Sequence, residues 1–500
     1  MSVQEITLKE KLQISEDEYK HTEKKDIDEP SPPPPYVKSD VEKRLVRRML
    51  WILLPFVWAV IFVTFVDKAL LSVSAVYGLM EDAHLSDSQF SWVAAVVFLG
   101  YLVFQIPNNI LIQRLRLSKY LGTLLLIWGV VVIATAFANS FEQLMGLRFL
   151  LGAFESGCYP IVYIILNALF RRSEQHFVYA FTIVSAGTGA LIGTALGYVV
   201  ILTLDYKEFG TMGVWRAWRW AYFIFGMVTI GVGVAVFFLL PDTPYAKLFK
   251  LNEEEKKVVQ DRTLDNMTTR TYTIKRAHIF EALSEFNFYA SGLVNLLLSM
   301  ANAGMIAYAV ILVKSFGFSP MIATAMQMPS GAVGAIFALL ASLSIRVTGQ
   351  QFYCCVAFLC ITVLGFIILL AAESTAGKMT GFYLTWALSG SIAIQLAVVS
   401  SNIIGYTKKV TYYGFYVAAG TVGSFLGPFL MVPSQNFVGG YGGYIGCCTV
   451  ATILLLSMRW LMNRENQKRR ANPVPPPVLD ENGVPPDLTD KENLAHIYKL

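Results

Sequence analysis

The sequence has little charge and no long polar stretch that could fold as a soluble catalytic domain. Only 15% of its 500 residues are charged, 55% are hydrophobic, and the mean hydropathy is +0.52. Soluble domains carry charge on about 25% of their residues. The longest segment between apolar runs, 241–288, is too short for an independent core. This composition excludes a soluble protein and predicts one that lies largely in a lipid bilayer.

Several kinds of functional site are also missing. There is no GxxxxGK[ST] loop to bind nucleotide phosphates, and no grouping of nucleophile, base and orienting residue that would indicate an enzyme. The six cysteines lie inside apolar runs without histidines at ligand spacing, so we expect no metal and no cofactor. We also expect no nucleic-acid partner, because the loop asymmetry described below accounts for the net charge of +5.

Apolar runs of about twenty residues, enough to cross a hydrocarbon core of about 30 Å, recur along the chain. The fold class predicted is an all-α membrane protein with twelve transmembrane helices. The twelve predicted spans are 49–78, 89–112, 120–138, 142–168, 177–203, 217–240, 289–313, 320–345, 352–372, 380–400, 411–432 and 442–462.

Basic residues mark one side of the predicted membrane. The N-terminal flank and the second and fourth loops contain Lys43, Arg44, Arg47, Arg48, Arg114, Arg116, Lys119, Arg171 and Arg172. The segment 81–87 on the other side has acidic residues but no lysine or arginine. The positive-inside rule therefore places both termini in the cytoplasm. The proline-rich and charged tails, 1–48 and 464–500, are predicted to be disordered.

A weak internal repeat divides the chain into two halves. Glycines of the fifth span, Gly189 and Gly193, correspond to Gly420 and Gly423 of the eleventh, and we interpret them mainly as helix-packing residues. The predicted domains are six-helix bundles at 49–240 and 289–463, joined by a cytoplasmic loop at 241–288. Two such bundles around a midplane site are typical of carriers that work by alternating access. Without a nucleotide site, an ion gradient would drive uphill transport.

Two spans carry charges at bilayer depth, where charge is costly and usually functional. Asp67 and Lys68 are adjacent in the first span, so they cannot share a helix face and each needs its own partner. Arg148 and Glu155 are seven residues apart in the fourth span, on one face and about 10 Å apart along the axis. Gly152 between them would leave room for a ligand.

Six stretches resemble the fungal allantoate permease branch of the anion:cation symporters, within the major facilitator superfamily. They are VDKALLSVSAVYGL (66–79), QFSWVAAVVFLGYLVFQIPNNILIQRL (89–115), LRFLLGAFESGCYP (147–160), LPDTPYAKLF (240–249), SNIIGYTKK (401–409) and GSFLGPFL (423–430). The resemblance covers 41–464 and implies the major facilitator fold, with two pseudo-symmetric bundles. Relatives carry allantoate, ureidosuccinate, dipeptides or vitamins, so the resemblance is weaker for the substrate than for the family.

The resemblance implies roles for the buried charges. Arg148 would bind a substrate carboxylate, and Lys68 would add positive potential to the site. Desolvated Glu155 would take up the coupled proton, and Asp67, also assigned to proton coupling, would pair with Arg148 or Lys68 during gating. The alternative is that the four charges pair only to neutralise one another.

Three more residues complete the predicted site. Asn402 would bond a substrate amide, although a bond between helices explains it equally well. Tyr308 is a candidate cavity residue on the seventh span, and Arg114 belongs to the short gating loop after the second span. The chain departs from the family pattern at Phe225, where an acidic residue is expected, and at Ser424, where relatives often have asparagine.

These features predict a monomeric, proton-coupled symporter of a small organic anion such as allantoate or ureidosuccinate, in the plasma membrane. Two alternatives stay open. One is a transporter of another vitamin or of an acidic secondary metabolite, working as an importer or as an exporter. The other is a nutrient sensor that signals through its tails without transport.

Overall fold

The computed structural model describes residues 39–204, 207–208, 213–266, 275–431, 437–474 and 488–500. The chain divides into two compact units, Met1–Arg47 and Arg48–Leu500. In the first unit, the described part is helical from Asp40. Apart from the start of this first helix, all later statements concern the second unit.

Long helices dominate the fold, and each predicted span overlaps one of them. We number them as spans 1 to 12: Asp40–Asp82, Asp87–Arg114, Leu117–Thr135, Phe141–Leu169, Arg172–Leu204, Ala217–Leu239, Phe286–Ser315, Pro320–Thr348, Gln351–Ala371, Thr375–Asn402, Tyr406–Leu426 and Val438–Ala471. Span 1 includes a π-helical segment, Ala75–Leu79, and Gly427–Leu430 extends span 11 as a 3-10 helix. Eleven of these helices are long and apolar enough to cross a membrane. Span 11, with 21 residues, is less apolar because it contains Lys408, Lys409 and several tyrosines.

Short elements connect the spans. Between spans 5 and 6, strand β1 (Lys207–Glu208) pairs antiparallel with β2 (Val214–Trp215). Between spans 6 and 7 lie a 3-10 turn, Lys247–Phe249, and two helices, Glu253–Asn266 and Arg276–Leu283. The central loop therefore contains helices but no independent core among its described residues.

The helix pairs repeat between the two groups of spans. Spans 2 and 4, 3 and 6, and 1 and 5 pack together in the first group. Their counterparts six spans later, 8 and 10, 9 and 12, and 7 and 11, pack together in the second. The groups meet where span 2 contacts span 11 and span 5 contacts span 8, and these two contacts are also counterparts. This arrangement confirms the predicted fold of two related six-helix bundles.

The predicted tails are wrong in part. The first helix begins at Asp40, and span 12 continues to Ala471, beyond the predicted end of the C-terminal bundle. Residues 488–500 pack against the predicted cytoplasmic ends of several spans through hydrogen bonds and an ion pair. Residues 1–38 and 475–487 lie outside the described part of the chain.

Glycines bring paired spans into close contact, as the sequence predicts. A Cβ atom on Gly423 of span 11 would overlap the carbonyl oxygen of Leu296 in span 7. On span 5, a Cβ on Gly189 would lie 3.1 Å from the Cα of Phe62 in span 1. Without hydrophobic attraction between helices in lipid, such backbone contact is a main source of packing energy.

We expect Gly423→Ala to destabilise the protein by about 1–3 kcal/mol, because spans 7 and 11 must separate to admit the methyl group. The matched control is Gly414→Ala on the same span, where a Cβ meets nothing within 4 Å. Thermal unfolding in detergent, followed by size-exclusion fluorescence, compares the two. Equal melting temperatures would contradict the packing role of Gly423.

Candidate functional site

The α-helical hydrogen-bond pattern of span 4 is interrupted at Ser156 and Gly157, which keep helical backbone angles, and Glu155 is the last residue before this break. The first helical segment, Phe141–Glu155, ends there, and the second, Cys158–Leu169, begins three residues later. Span 10, its counterpart, is broken in the same way between Thr375–Thr385 and Leu388–Asn402. Glu155 lies beside this interruption and on the wall of a cavity described below.

Glu155 pairs with Lys68 of span 1. The Lys68 Nζ atom donates to Glu155 Oε1 at 2.6 Å. The Lys68 side chain is 23% exposed, whereas that of Glu155 is only 4% exposed. The ammonium also lies 5.4 Å from the centre of the Phe65 ring. Lys68 is therefore the more accessible member of the pair.

Arg148 forms a second pair that is buried more deeply. Its Nη1 atom lies 3.4 Å from Asp67 Oδ2, and its Nη2 atom donates to the hydroxyl of Tyr222 in span 6. Arg148 and Asp67 are 2% and 4% exposed. This confirms that the adjacent Asp67 and Lys68 have separate partners. The pair connects spans 1, 4 and 6 and neutralises both charges.

A cavity of about 260 Å³ lies between the two groups of spans. Its wall consists of Lys68, Val97, Phe98, Tyr101, Glu155, Tyr159, Asn295, Ser299, Val417, Gly420, Thr421 and Ser424. The first group thus supplies one cation, one carboxylate and two phenols, and spans 7 and 11 supply amide and hydroxyl groups. Such a wall can bind an ionised group on one side and hydrogen-bond a polar group on the other.

Arg148 is not among the residues of this wall, and its predicted contact with substrate stays a prediction. Its guanidinium faces Asp67 and Tyr222 instead. The prediction that Gly152 leaves room for a ligand is wrong, because a Cβ atom there would overlap the carbonyl oxygen of Val97 in span 2. Gly152 allows spans 2 and 4 to pack closely.

The other predicted site residues lie elsewhere. Tyr308 is buried at the predicted outer end of span 7, where its hydroxyl is 2.7 Å from Ser91 Oγ. Asn402 bonds the backbone of Lys499 near the predicted cytoplasmic surface and is not among the residues of the central cavity wall, so its bond to a substrate stays a prediction. Arg114 is exposed at the end of span 2, which fits the position predicted for a gating residue without testing that role.

The two groups of spans touch at their predicted outer ends. Besides the Ser91–Tyr308 bond, the Val310 amide donates to Ser72 Oγ at 2.9 Å, and the Trp92 and Phe429 rings are 4.8 Å apart. Near the other end, a cavity of about 460 Å³ lies between Gln105 of span 2 and the start of span 11. The central cavity is thus closed on the predicted outer side.

Several wall residues were missed in the sequence. Tyr101 and Tyr159 each lie four residues after another wall residue, Val97 and Glu155. Asn295 and Ser299 have the same spacing on span 7 and form a polar stripe in an apolar helix. Polar or aromatic residues at i, i+4 spacing were the feature of the sequence that could have indicated these wall residues.

The family follows from a direct comparison. A model of the Major Facilitator Superfamily matches residues 57–428. The chain belongs to the Major Facilitator Superfamily. It is therefore a multi-pass membrane transporter, not an enzyme, and a twelve-span count is consistent with this fold.

Named relatives of this superfamily member are fungal transporters. The allantoate permease of Saccharomyces cerevisiae is 27% identical over 491 residues, covering 93% of this chain and 88% of that relative. The thiamine pathway transporter of the same yeast is 27% identical over 442 residues, covering 87% and 82%. A Schizosaccharomyces pombe transporter described as uncharacterized is 27% identical over 470 residues, covering 93% and 91%.

Among solved structures, this chain is similar to that of a bacterial homolog of the human lysosomal transporter Spinster. That homolog was solved in an inward-facing and unoccupied conformation. The TM-score is 0.65 at 14% identity, and the match covers 84% of this chain and 96% of that chain. At this identity the likeness shows the fold alone.

Proposed function

We propose that this transporter is a proton-coupled symporter of a small organic anion. The observation that carries the proposal is the Lys68–Glu155 pair on the cavity wall. Among the lining residues, Lys68 is the only cation and Glu155 the only carboxylate. An incoming substrate carboxylate therefore competes with Glu155 for the Lys68 ammonium.

This competition couples the anion to a proton. When the substrate carboxylate binds the Lys68 ammonium, Glu155 loses its ion-pair partner, while its side chain is only 4% exposed. An unpaired buried carboxylate is costly, so it takes up a proton. Substrate and proton then bind together, and one monoanion crosses with one proton without net charge. By linkage, lower pH strengthens anion binding, and the anion strengthens proton binding.

Allantoate and ureidosuccinate are the lead candidates. On the wall opposite Lys68, the chain offers Asn295, Ser299, Thr421 and Ser424. These groups suit the amide and ureido groups of such acids, and one named relative is an allantoate permease. From the loop charges, we propose that both termini are cytoplasmic. We also propose a monomer as the working form, which the family resemblance favours, and the plasma membrane as the site of action.

Uptake of labelled allantoate tests the proposal in yeast that lacks its own allantoate transport. We expect uptake that acid pH stimulates and a protonophore abolishes. Unlabelled small carboxylates should compete, and neutral amides of the same size should not. Absence of uptake by protein shown to be at the cell surface would exclude allantoate, and competition by neutral amides alone would contradict an anionic substrate.

A further inference from the structure

The segment 488–500, which we name the C-terminal strap, is bound to the predicted cytoplasmic ends of the second group of spans. Asn402, the last residue of span 10, donates to the carbonyl of Lys499 at 3.1 Å and accepts from its amide at 2.6 Å. Asn466 of span 12 makes the same two bonds with Tyr498, at 2.8 and 2.9 Å. Both asparagines are nearly fully buried. Two amide side chains thus hold consecutive strap residues by their backbone.

Side chains strengthen this attachment. Arg469 of span 12 donates to the carbonyl of His496 at 2.7 Å, and its guanidinium lies 4.8 Å from the centre of the Tyr498 ring. The backbone N–H of Gln351, at the start of span 9, also donates to the main-chain oxygen of Leu500 at 2.7 Å. Burial lowers the pKa of His496, which keeps this imidazole neutral at cytoplasmic pH.

A buried charge cluster forms the other end of the attachment. The strap carboxylate of Asp490 lies 2.6 Å from Lys408 of span 11, whose side chain is fully buried. Lys408 also pairs with Glu281 and Glu285, which precede span 7, at 2.7 and 2.6 Å. The Thr489 hydroxyl donates to Glu281 at 3.0 Å. The strap therefore fastens span 11 to the start of span 7.

The strap also covers the connection between spans 10 and 11. Gly405 in that connection has φ +85°, and a Cβ there would lie 3.2 Å from the carbonyl of Leu488. The following residues of span 11 border the 460 Å³ cavity that faces Gln105. In an alternating-access cycle this gap closes as the outer contacts open. A strap fastened to spans 7, 9 and 12 opposes movement of spans 10 and 11 across the gap.

We propose that the C-terminal strap is an internal brake, which holds spans 10 and 11 in the position that leaves the predicted cytoplasmic side open. Its release lowers the cost of closing that side and opening the outer one. This inference rests on the alternating-access part of the proposed function. It does not depend on the substrate or on proton coupling.

The test uses the full chain with a reporter cysteine at Val310, which is fully buried in the outer contact. A membrane-impermeant thiol reagent is applied from outside, with the chain lacking the reporter as the blank. Asn402→Ala combined with Asn466→Ala removes the four backbone bonds to the strap. We expect about tenfold faster labelling, equivalent to about 1.4 kcal/mol. The control is Asn463→Ala, on span 12 but outside the strap contacts described here.

Hydrogen exchange of the backbone amides of Tyr498 and Lys499 reports whether the strap has dissociated from the spans. Thr489→Glu provides a milder release, because it replaces the hydroxyl that bonds Glu281 with a like charge. The cluster already holds three carboxylates against the two ammonium groups of Lys408 and Lys491, so the added charge is repelled overall. A chain ending at 487 removes the strap, and the synthetic peptide 488–500 should then slow labelling again.

Fast amide exchange with labelling unchanged from the parent, or unchanged labelling in the shortened chain, would overturn the brake. Failure to transport any anion would contradict the proposed function but leave the labelling result interpretable.

Discussion

Replacing Lys68 with methionine will weaken apparent substrate affinity by roughly ten- to a hundredfold, because a hydrogen bond to a charged group contributes about 1.5–3 kcal/mol. Lys68 is the only cation on the cavity wall, so no other lining residue replaces it. The same change leaves Glu155 buried without its partner at 2.6 Å. Substrate uptake and competition assays measure the loss. Lys314→Met, which removes an exposed cation at the end of span 7, is the matched control.

The double variant Lys68→Met with Glu155→Gln decides between two roles of the lysine. If Lys68 only neutralises Glu155, removal of both charges restores a neutral wall, and substrate affinity recovers. If Lys68 binds the substrate carboxylate, the double variant stays as weak as the single one. We expect the second result, since the Lys68 side chain is 23% exposed to the cavity while Glu155 is 4% exposed. Recovery of uptake would remove the anion-binding role.

Hydrophobic periodicity and charge were enough to predict the spans, and helix geometry predicted that Asp67 and Lys68 have separate partners. Each predicted span overlaps a helix, because runs of about twenty apolar residues have few alternatives in a membrane. Helix geometry places adjacent Asp67 and Lys68 in different directions, but it did not identify the partner of each, which the structure shows to be Arg148 for Asp67 and Glu155 for Lys68. The structure shows these pairs, and it does not test their part in transport.

The level along the spans at which the cavity lies was not predictable from the same sequence pattern. Arg148 and Glu155 share a face but lie about two helical turns apart. Only Glu155 lies at the break in span 4 and on the cavity wall, while Arg148 meets Tyr222 of span 6. Which level of a helix borders a cavity depends on how neighbouring spans tilt and pack. That information is spread over several helices.

The docked strap escaped prediction for a related reason. Proline and charge near the C-terminus indicate disorder when each residue is judged by its neighbours. The groups that hold residues 488–500 are far away in sequence, at Gln351, Asn402, Lys408 and Asn466. Asn402 looked like a candidate ligand because its partner, the Lys499 backbone, could not be identified from local sequence.

Glu155→Gln will abolish substrate accumulation driven by a pH gradient, while exchange of internal for external substrate will be retained. The amide can still accept a hydrogen bond from Lys68 at the position where Glu155 now does so at 2.6 Å. It cannot take up a proton, so substrate binding no longer carries one. In an electroneutral one-to-one symporter, each unit of pH difference supports about tenfold accumulation. The variant should reach only equal concentrations on both sides, and acid pH should no longer strengthen substrate binding.

Reconstituted vesicles allow both halves of this result to be measured. Net uptake is followed with an imposed pH gradient, and exchange is followed with substrate on both sides and no gradient. Glu142→Gln, in the exposed first turn of the same span, is the control and should behave as the parent. Accumulation by Glu155→Gln would assign the proton to another group. Loss of both uptake and exchange, with normal folding, would instead make Glu155 a binding residue whose charge the substrate itself requires.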